Sequence, residues 1–501
     1  MKNIFKYQTR LLTRMTCLVA FSLLIFSCDL DVEPESFRVS EDFYTSAEDL
    51  ELAMISTYSS YQNVMNLEFN VTELRTDNTY LDPDRSANND VDRFTLDRFT
   101  LNTTNPINES YYRACYKTIA LANRVLANLD VVEDEEFKNQ LEGEALFFRG
   151  LMHFNLVRLY GGIVLVDEIL IGEEGFELSR STEAEAYEFI INDLVNASSL
   201  LPSAYGEDDL GRATNWAAKG LLGKVYLTTG ANYAEAITVL EEIRDSGEFA
   251  LVDDYASLFT PETEINSEIL FAVRYSGGNN GVGSPFPTNF SPRGSLGTVT
   301  FGDGDGLNIP TVDLVNSYDP ADPRKGVSLA ESYFNLEENE VLFNYIIKYN
   351  SENLVATEDG EVDWPVIRYA DVLLMLAEAY IEENGSLDDA LAELNKVRNR
   401  GGDGVGLPVL TTTDVSTAFD FKLALENERR HEFAFENHRY FDLLRTGRTL
   451  IVLSAHFSTE PLYNAGDDLQ YTGGLDTTKL LLPIPQYEID LNPSIGQNIG
   501  Y

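Results

Sequence analysis

Apolar positions along the chain fall mostly at the spacing of an α-helix. From Ser40 to Gln62, Phe43, Leu50, Met54, Tyr58 and Tyr61 lie near one face, and residues 110–130 repeat the pattern. Phe137 to Tyr160 is the clearest case. Leu141, Ala145, Phe148, Met152, Leu156 and Leu159 are separated by steps of 4, 3, 4, 4 and 3, and Gly161-Gly162 stops that helix. Two later segments read as helical hairpins of one kind. Trp216 to Tyr226 is followed by Gly230 and Ala236, and Tyr369 to Tyr380 by Gly385 and Ala390, so that Tyr226 to Ala236 and Tyr380 to Ala390 are the same ten-residue step. Small residues where two helices cross, with a glycine at the turn, form the tetratricopeptide pattern. Such a hairpin buries its apolar face only by stacking on neighbours.

Two stretches break the helical period. Ser276 to Pro310 holds nine glycines and four prolines in 35 residues, with Phe286, Phe290 and Phe301 among them. Asp77 to Asn108 sets Tyr80, Phe94 and Phe99 among Asp, Asn and Arg. Long irregular segments in a folded chain are where ligand sites concentrate, so these two are the expected places for one.

Composition narrows the function. Of 501 residues, 44% are hydrophobic and 24% charged, the balance of a folded globular protein. Lys plus Arg is 36 against 82 Asp plus Glu, a net −46. That balance excludes a nucleic-acid partner, which needs clustered basic residues, and disfavours electrostatic docking on anionic lipid. Only 4 His and 3 Cys are present, which removes most zinc, haem and iron–sulfur sites and any disulfide framework.

The N-terminus reads as an address. Lys2, Lys6, Arg10 and Arg14 precede an apolar run from Thr16 to Ser27. The run is shorter than the ~20 residues of a membrane span and reads as a signal-peptide core. Ile25-Phe26-Ser27-Cys28 resembles a bacterial lipobox, which makes Cys28 the expected lipidation site and first residue of the mature chain. Removal of residues 1–27 takes away four positive charges and no negative ones, leaving a net −50. Cys115 then has no disulfide partner and is expected to be a buried small hydrophobe. The expected organisation is a signal peptide (1–27), an acidic tether (28–40), and N-terminal (41–260) and C-terminal (261–501) regions of one integrated fold.

Each partial catalytic motif in the sequence lacks a required residue or spacing. His431-Glu432 begins a zincin motif, but Phe435 stands where the second histidine is required. Gly294-Ser295-Leu296-Gly297 has the wrong spacing for a nucleophile elbow. Gly302-Asp303-Gly304-Asp305-Gly306 has the start of a calcium loop, but its twelfth position is Leu314, which leaves only a weak calcium site open and no other cofactor.

Taken in order, the residues resemble the SusD/RagB family of Bacteroidetes outer-membrane lipoproteins. The resemblance runs from Leu30-Asp31-Val32-Glu33-Pro34 through Gly143 to Gly150, Arg158-Leu159-Tyr160-Gly161 and Gly211-Arg212-Ala213-Thr214. It continues in Arg368 to Leu374, Glu428 to Glu436 and Arg439 to Arg445, and closes on Pro483-Ile484-Pro485 and Gln497 to Tyr501. It implies a mainly α-helical, SusD-like fold with tetratricopeptide-like hairpins supporting a more irregular, loop-rich half. It further implies a cell-surface protein, lipid-anchored in the outer membrane. Such a protein binds an oligosaccharide, or a peptide in some members, and delivers it to a SusC-like TonB-dependent transporter without acting as an enzyme.

The charged motif residues Arg368, Glu378, Glu428, Arg429, Arg430, Glu436, Arg439, Asp442 and Arg445 read as helix-packing ion pairs. Family ligand sites use aromatic rings on variable loops, because a sugar's C–H face packs on an aromatic plane. The candidate rings are Tyr80, Phe94, Tyr275, Phe286, Phe290 and Phe301, with Asn78, Arg85, Asn279 and Asn289 as hydrogen-bonding partners. The two tryptophans, Trp216 and Trp364, read as packing residues. The strong negative charge points to a neutral glycan or a peptide. A tetratricopeptide-like interaction scaffold stays open as an alternative.

Overall fold

The computed structural model describes residues 44–82, 90–171, 174–351, 354–402, 404–459 and 475–501. The expected signal peptide, Cys28, the tether, Phe43 and Arg85 lie outside the described residues.

Helix α1 (Ala47–Val71) starts at Ser46, whose side chain accepts the Asp49 N–H at 3.2 Å. It runs beyond Gln62 because Val64, Met65 and Phe69 extend its buried stripe. Helix α2 (Pro106–Ala127) has Pro at its first position and Asn105 as cap, with Asn105 Oδ1 accepting from the N–H groups of Ile107 and Asn108. Helix α3 (Glu135–Tyr160) ends at Gly161, and α4 (Glu183–Leu200) opens on a reciprocal capping box between Thr182 and Glu185. The two hairpins are α5 (Asn215–Thr229) with α6 (Tyr233–Ser246), and α7 (Tyr369–Glu383) with α8 (Leu387–Arg398).

Each of α1 to α5 packs on the next labelled helix, and α6 packs on α7. The two hairpins therefore stack on each other, as the shared ten-residue step predicts. Gly230 turns the first hairpin at φ +66°. Gly223 lets α5 and α6 approach, since a Cβ there would lie 2.6 Å from Leu240 Cδ2. Helix α9 (Ala418–Glu432) packs against α7 and α8.

Among the described residues, three two-stranded antiparallel pairs serve the irregular half. β1 (Thr79–Tyr80) pairs with β3 (Ile309–Pro310), which joins the two irregular stretches. β2 (Ile269–Val273) pairs with β6 (Trp364–Arg368), which leads directly into α7. β4 (Leu329–Phe334) and β5 (Glu340–Ile346) form a hairpin. The chain from Ser46 to Tyr501 forms one compact unit. Among the described residues, no helix is long and apolar enough to cross a membrane.

Buried charge holds this half together. Arg368 bonds Glu268 and Glu432 through Nη1 and Glu436 through Nε, each at 2.8 Å. Arg400 shares Glu268 and Glu432. Arg324 bonds Asp322, Glu428 and Glu432. The fully buried Lys348 donates to Glu436, the Ala434 carbonyl and the Tyr255 hydroxyl. On the far side of α9, Arg429 joins Asp371 to Asp442. These motif charges are register-fixing core contacts, which is how buried ion pairs act when every member is partnered.

Candidate ligand-binding site

The glycine- and proline-rich stretch is an ordered plate fastened to the core. Pro285 precedes a single helical turn, Phe286–Phe290, whose i and i+4 rings stack at 5.4 Å on the same side. Phe286 packs against Trp364 at 4.4 Å and Tyr275 at 6.0 Å, and Phe290 meets Phe69 at 5.2 Å. Tyr349 lies flat on Trp364 at 4.4 Å and closes the cluster. Beyond this anchor, backbone bonds tie the returning strand down: Asp305 N–H to Thr288 O, Gly306 N–H to Ser291 O and Leu307 N–H to Asn289 O, each 2.8 Å.

A second segment, 354–363, supports the plate from the side. Ser284 and Gly360 exchange backbone bonds. Asp359 accepts the N–H groups of Gly278 and Asn279, and Thr288 Oγ1 accepts that of Glu358. What the plate leaves exposed is its rim. Phe301 is 47% exposed, Leu296 57% and Val355 59%, with Val282 beside the exposed Asn279 turn.

The expected site residues divide accordingly. Phe286, Phe290, Tyr275 and Phe94 are buried, at 0%, 2%, 5% and 5% exposure, so they are core residues and a sugar ring cannot stack on them in this conformation. The reason is that a long irregular segment exposes much backbone and holds one conformation only if its rings are driven into the core. Asn78 is also internal. It donates to Glu73 Oε1 and accepts from Arg430 Nε, both at 2.9 Å. Tyr275 donates to Asn66, and the Arg98 guanidinium lies 4.8 Å over the Phe94 ring. Asn289 is buried in the one-turn helix. Tyr80 is half-buried in β1, opposite Ile309. Phe301 and Asn279 face outward on the rim, and both of their turns rest on segment 357–359. The exposed aliphatic rim residues Leu296, Val282 and Val355 carried no aromatic signal in the sequence.

Reactive-looking side chains are committed to structure. His431 stacks on Tyr318 at 4.4 Å and contacts Ser317 Oγ at 2.9 Å, and burial pushes its pKa down to about 3. Glu432 belongs to the buried ion network. Asp303 accepts the N–H groups of Gly294 and Leu296, which closes a loop. Among the described residues, no group of three or more His, Cys, Asp and Glu side chains is placed to hold a metal ion. The Cys115 thiol is buried, and burial raises its pKa.

A family model described as "SusD family" matches residues 328–501, and one described as "Starch-binding associating with outer membrane" matches residues 30–227. A SusD-like protein of Formosa agariphila is 26% identical, over 97% of this chain and 99% of its own length. The chain belongs to the SusD family. A SusD-like protein of Bacteroides ovatus is 25% identical over 87% of this chain and 83% of its own. Among solved structures, a SusD superfamily protein from Bacteroides vulgatus is 26% identical. It superposes with a TM-score of 0.75 over 92% of this chain and 100% of that one. A laminarin binding SusD-like protein is 25% identical, with a TM-score of 0.74 over 91% and 100%. The fold of this SusD-family chain is thus the expected one: helical hairpins carrying an irregular half.

Proposed function

We propose that this protein captures a neutral oligosaccharide at the cell surface and delivers it to a SusC-like TonB-dependent outer-membrane transporter. Cys28 carries the lipid that anchors the chain in the outer membrane, and the acidic tether spaces the body from it. The protein binds and releases its sugar without cleaving it. The observation that carries this reading is the plate. An irregular segment is pinned to the core so firmly that its rim keeps Phe301 and Leu296 in water, and the Asn279 turn of the same segment is exposed as well. Apolar side chains held exposed on an ordered loop, with hydrogen-bonding groups near them, fit the C–H faces and hydroxyls of a sugar. The laminarin-binding relative of the same fold supports the ligand class. The net −50 of the mature chain favours a neutral glycan over a polyanion. Glycan-array screening of the chain from Asp29 tests this. Binding to a neutral glycan, with the sugar recovered intact, is expected; hydrolysis of the bound sugar would overturn it.

A further inference from the structure

A second cleft lies away from the plate. It opens between the start of α5, the end of α6 and strand β2, with a volume of about 320 Å³. That places it at the small end of ligand pockets, roughly 300–1,000 Å³. Tyr205, Trp216 and Phe249 line it, each half-buried, with Arg274 facing them.

The wall is held before any ligand arrives. The Tyr205 hydroxyl donates to Glu144 Oε1 and to the Ala213 carbonyl. Glu144 is itself gripped by Arg212 through Nε at 2.7 Å and Nη2 at 2.9 Å. Phe249 stacks on Tyr369 at 6.4 Å and meets Trp216 edge-on at 6.3 Å.

Arg274 is also fixed in place. Its Nε pairs with Asp363, and its stem crosses Gly211, where φ is +99° and a Cβ would lie 2.8 Å from Arg274 Cγ. Neither Nη of Arg274 has a hydrogen-bond partner among the described residues, and 40% of the side chain is exposed. Arg212, by contrast, has its donors on Glu144, Glu51 and Asp209.

Charges of both signs line the cleft, Arg212 and Arg274 against Glu248, Glu264 and Asp363. Asp363 balances Arg274. Burial and the Asp363 carboxylate raise the pKa of Glu264, whose Oε2 accepts the Asp363 N–H, and burial raises that of Asp363.

We propose that this cleft is a second saccharide subsite, taking one or two units of a neutral glycan with their C–H faces on Tyr205, Trp216 and Phe249 and their hydroxyls on the Arg274 Nη groups. The subsite rests on the carbohydrate-binding reading above and adds a place for the sugar outside the plate.

The chain has only 2 Trp, and Trp364 is 1% exposed in the core, so acrylamide quenching of fluorescence reports on Trp216. The experiment pairs that quenching with calorimetry, using laminarihexaose, maltohexaose and xylohexaose as probes. A sugar that binds should protect Trp216 from acrylamide, and Trp216→Phe should remove the protected signal. Arg274→Lys keeps the charge opposite Asp363 but loses the two free Nη groups, and should weaken the protecting event about tenfold or more. Calorimetric binding with no change in Trp216 quenching would overturn the cleft and leave the plate standing. No calorimetric binding to any of the three sugars would overturn both.

Discussion

At Arg368 a guanidinium with 1% of its side chain exposed meets three glutamates and the Glu432 carbonyl. Its partners are themselves shared with Arg400, Arg324 and Lys348. Removing Arg368 takes one cation from three buried glutamates and leaves Glu268 to Arg400, Glu432 to Arg400 and Arg324, and Glu436 to Lys348 alone, a loss of about 3–5 kcal/mol. Arg368→Met should therefore lower the urea-unfolding free energy by about that amount. A loss below about 1 kcal/mol would place these carboxylates in contact with water.

Glu73 behaves in the opposite sense. Burial lifts its pKa from 4.5 to about 7, against the bonds that it accepts from Asn78 and the Phe435 N–H. Between those two pH values the folded chain keeps a proton that the unfolded chain has lost, so stability falls as pH rises. At about 1.4 kcal/mol per unit the full window is on the order of 3 kcal/mol. In Glu73→Gln that part of the fall should vanish, and unfolding at about pH 5 and about pH 8 should show the variant gaining on the wild type at the higher pH. Asp77 acts with the opposite sign. Burial opposes its charge, but Arg430 and Arg439 hold its carboxyl well below the usual range, so its contribution is lost only as pH falls through that depressed value.

At the scale of elements, the one-turn helix Phe286–Phe290 decides what the irregular half can do. Phe290→Ala removes a ring that is 2% exposed and should cost about 3–5 kcal/mol of stability. Phe301→Ala, on the rim, should leave the melting temperature within about 2 °C of the wild type. Thermal melts of the two variants check the division between anchor and rim. The hairpins were legible in the sequence because their signal is local: the Tyr226–Ala236 and Tyr380–Ala390 steps and the glycine turns each lie within one hairpin, between two consecutive helices. The burial of Phe286 was not, because its partners Tyr349, Trp364 and Tyr275 come from separate segments. A trace of it was present in the pair Phe286 and Phe290, four residues apart behind Pro285, which is helical spacing inside a stretch otherwise read as loop. The cleft left no local trace, since Tyr205, Phe249 and Arg274 are brought together only by the tertiary fold.

For the whole molecule, the hairpin stack is the scaffold, the buried ion network joins it to the irregular half, and the plate and cleft face the solvent. The proposed function has the lipid on Cys28 hold the protein at the outer membrane. Cys28→Ala should therefore move the protein from the outer-membrane fraction to the soluble fraction without changing its melting temperature, as read by fractionation and thermal denaturation. The central claim, capture of a neutral glycan on a pinned irregular surface, is tested most directly by isothermal titration of the chain from Asp29. Neutral hexasaccharides would be titrated into wild type and Phe301→Ala, and the sugars then analysed by chromatography. We predict saturable binding by the wild type, at least about tenfold weaker binding by the variant, and intact sugar throughout. Equal affinity of the two proteins, or cleaved sugar in the wild-type cell, would contradict it.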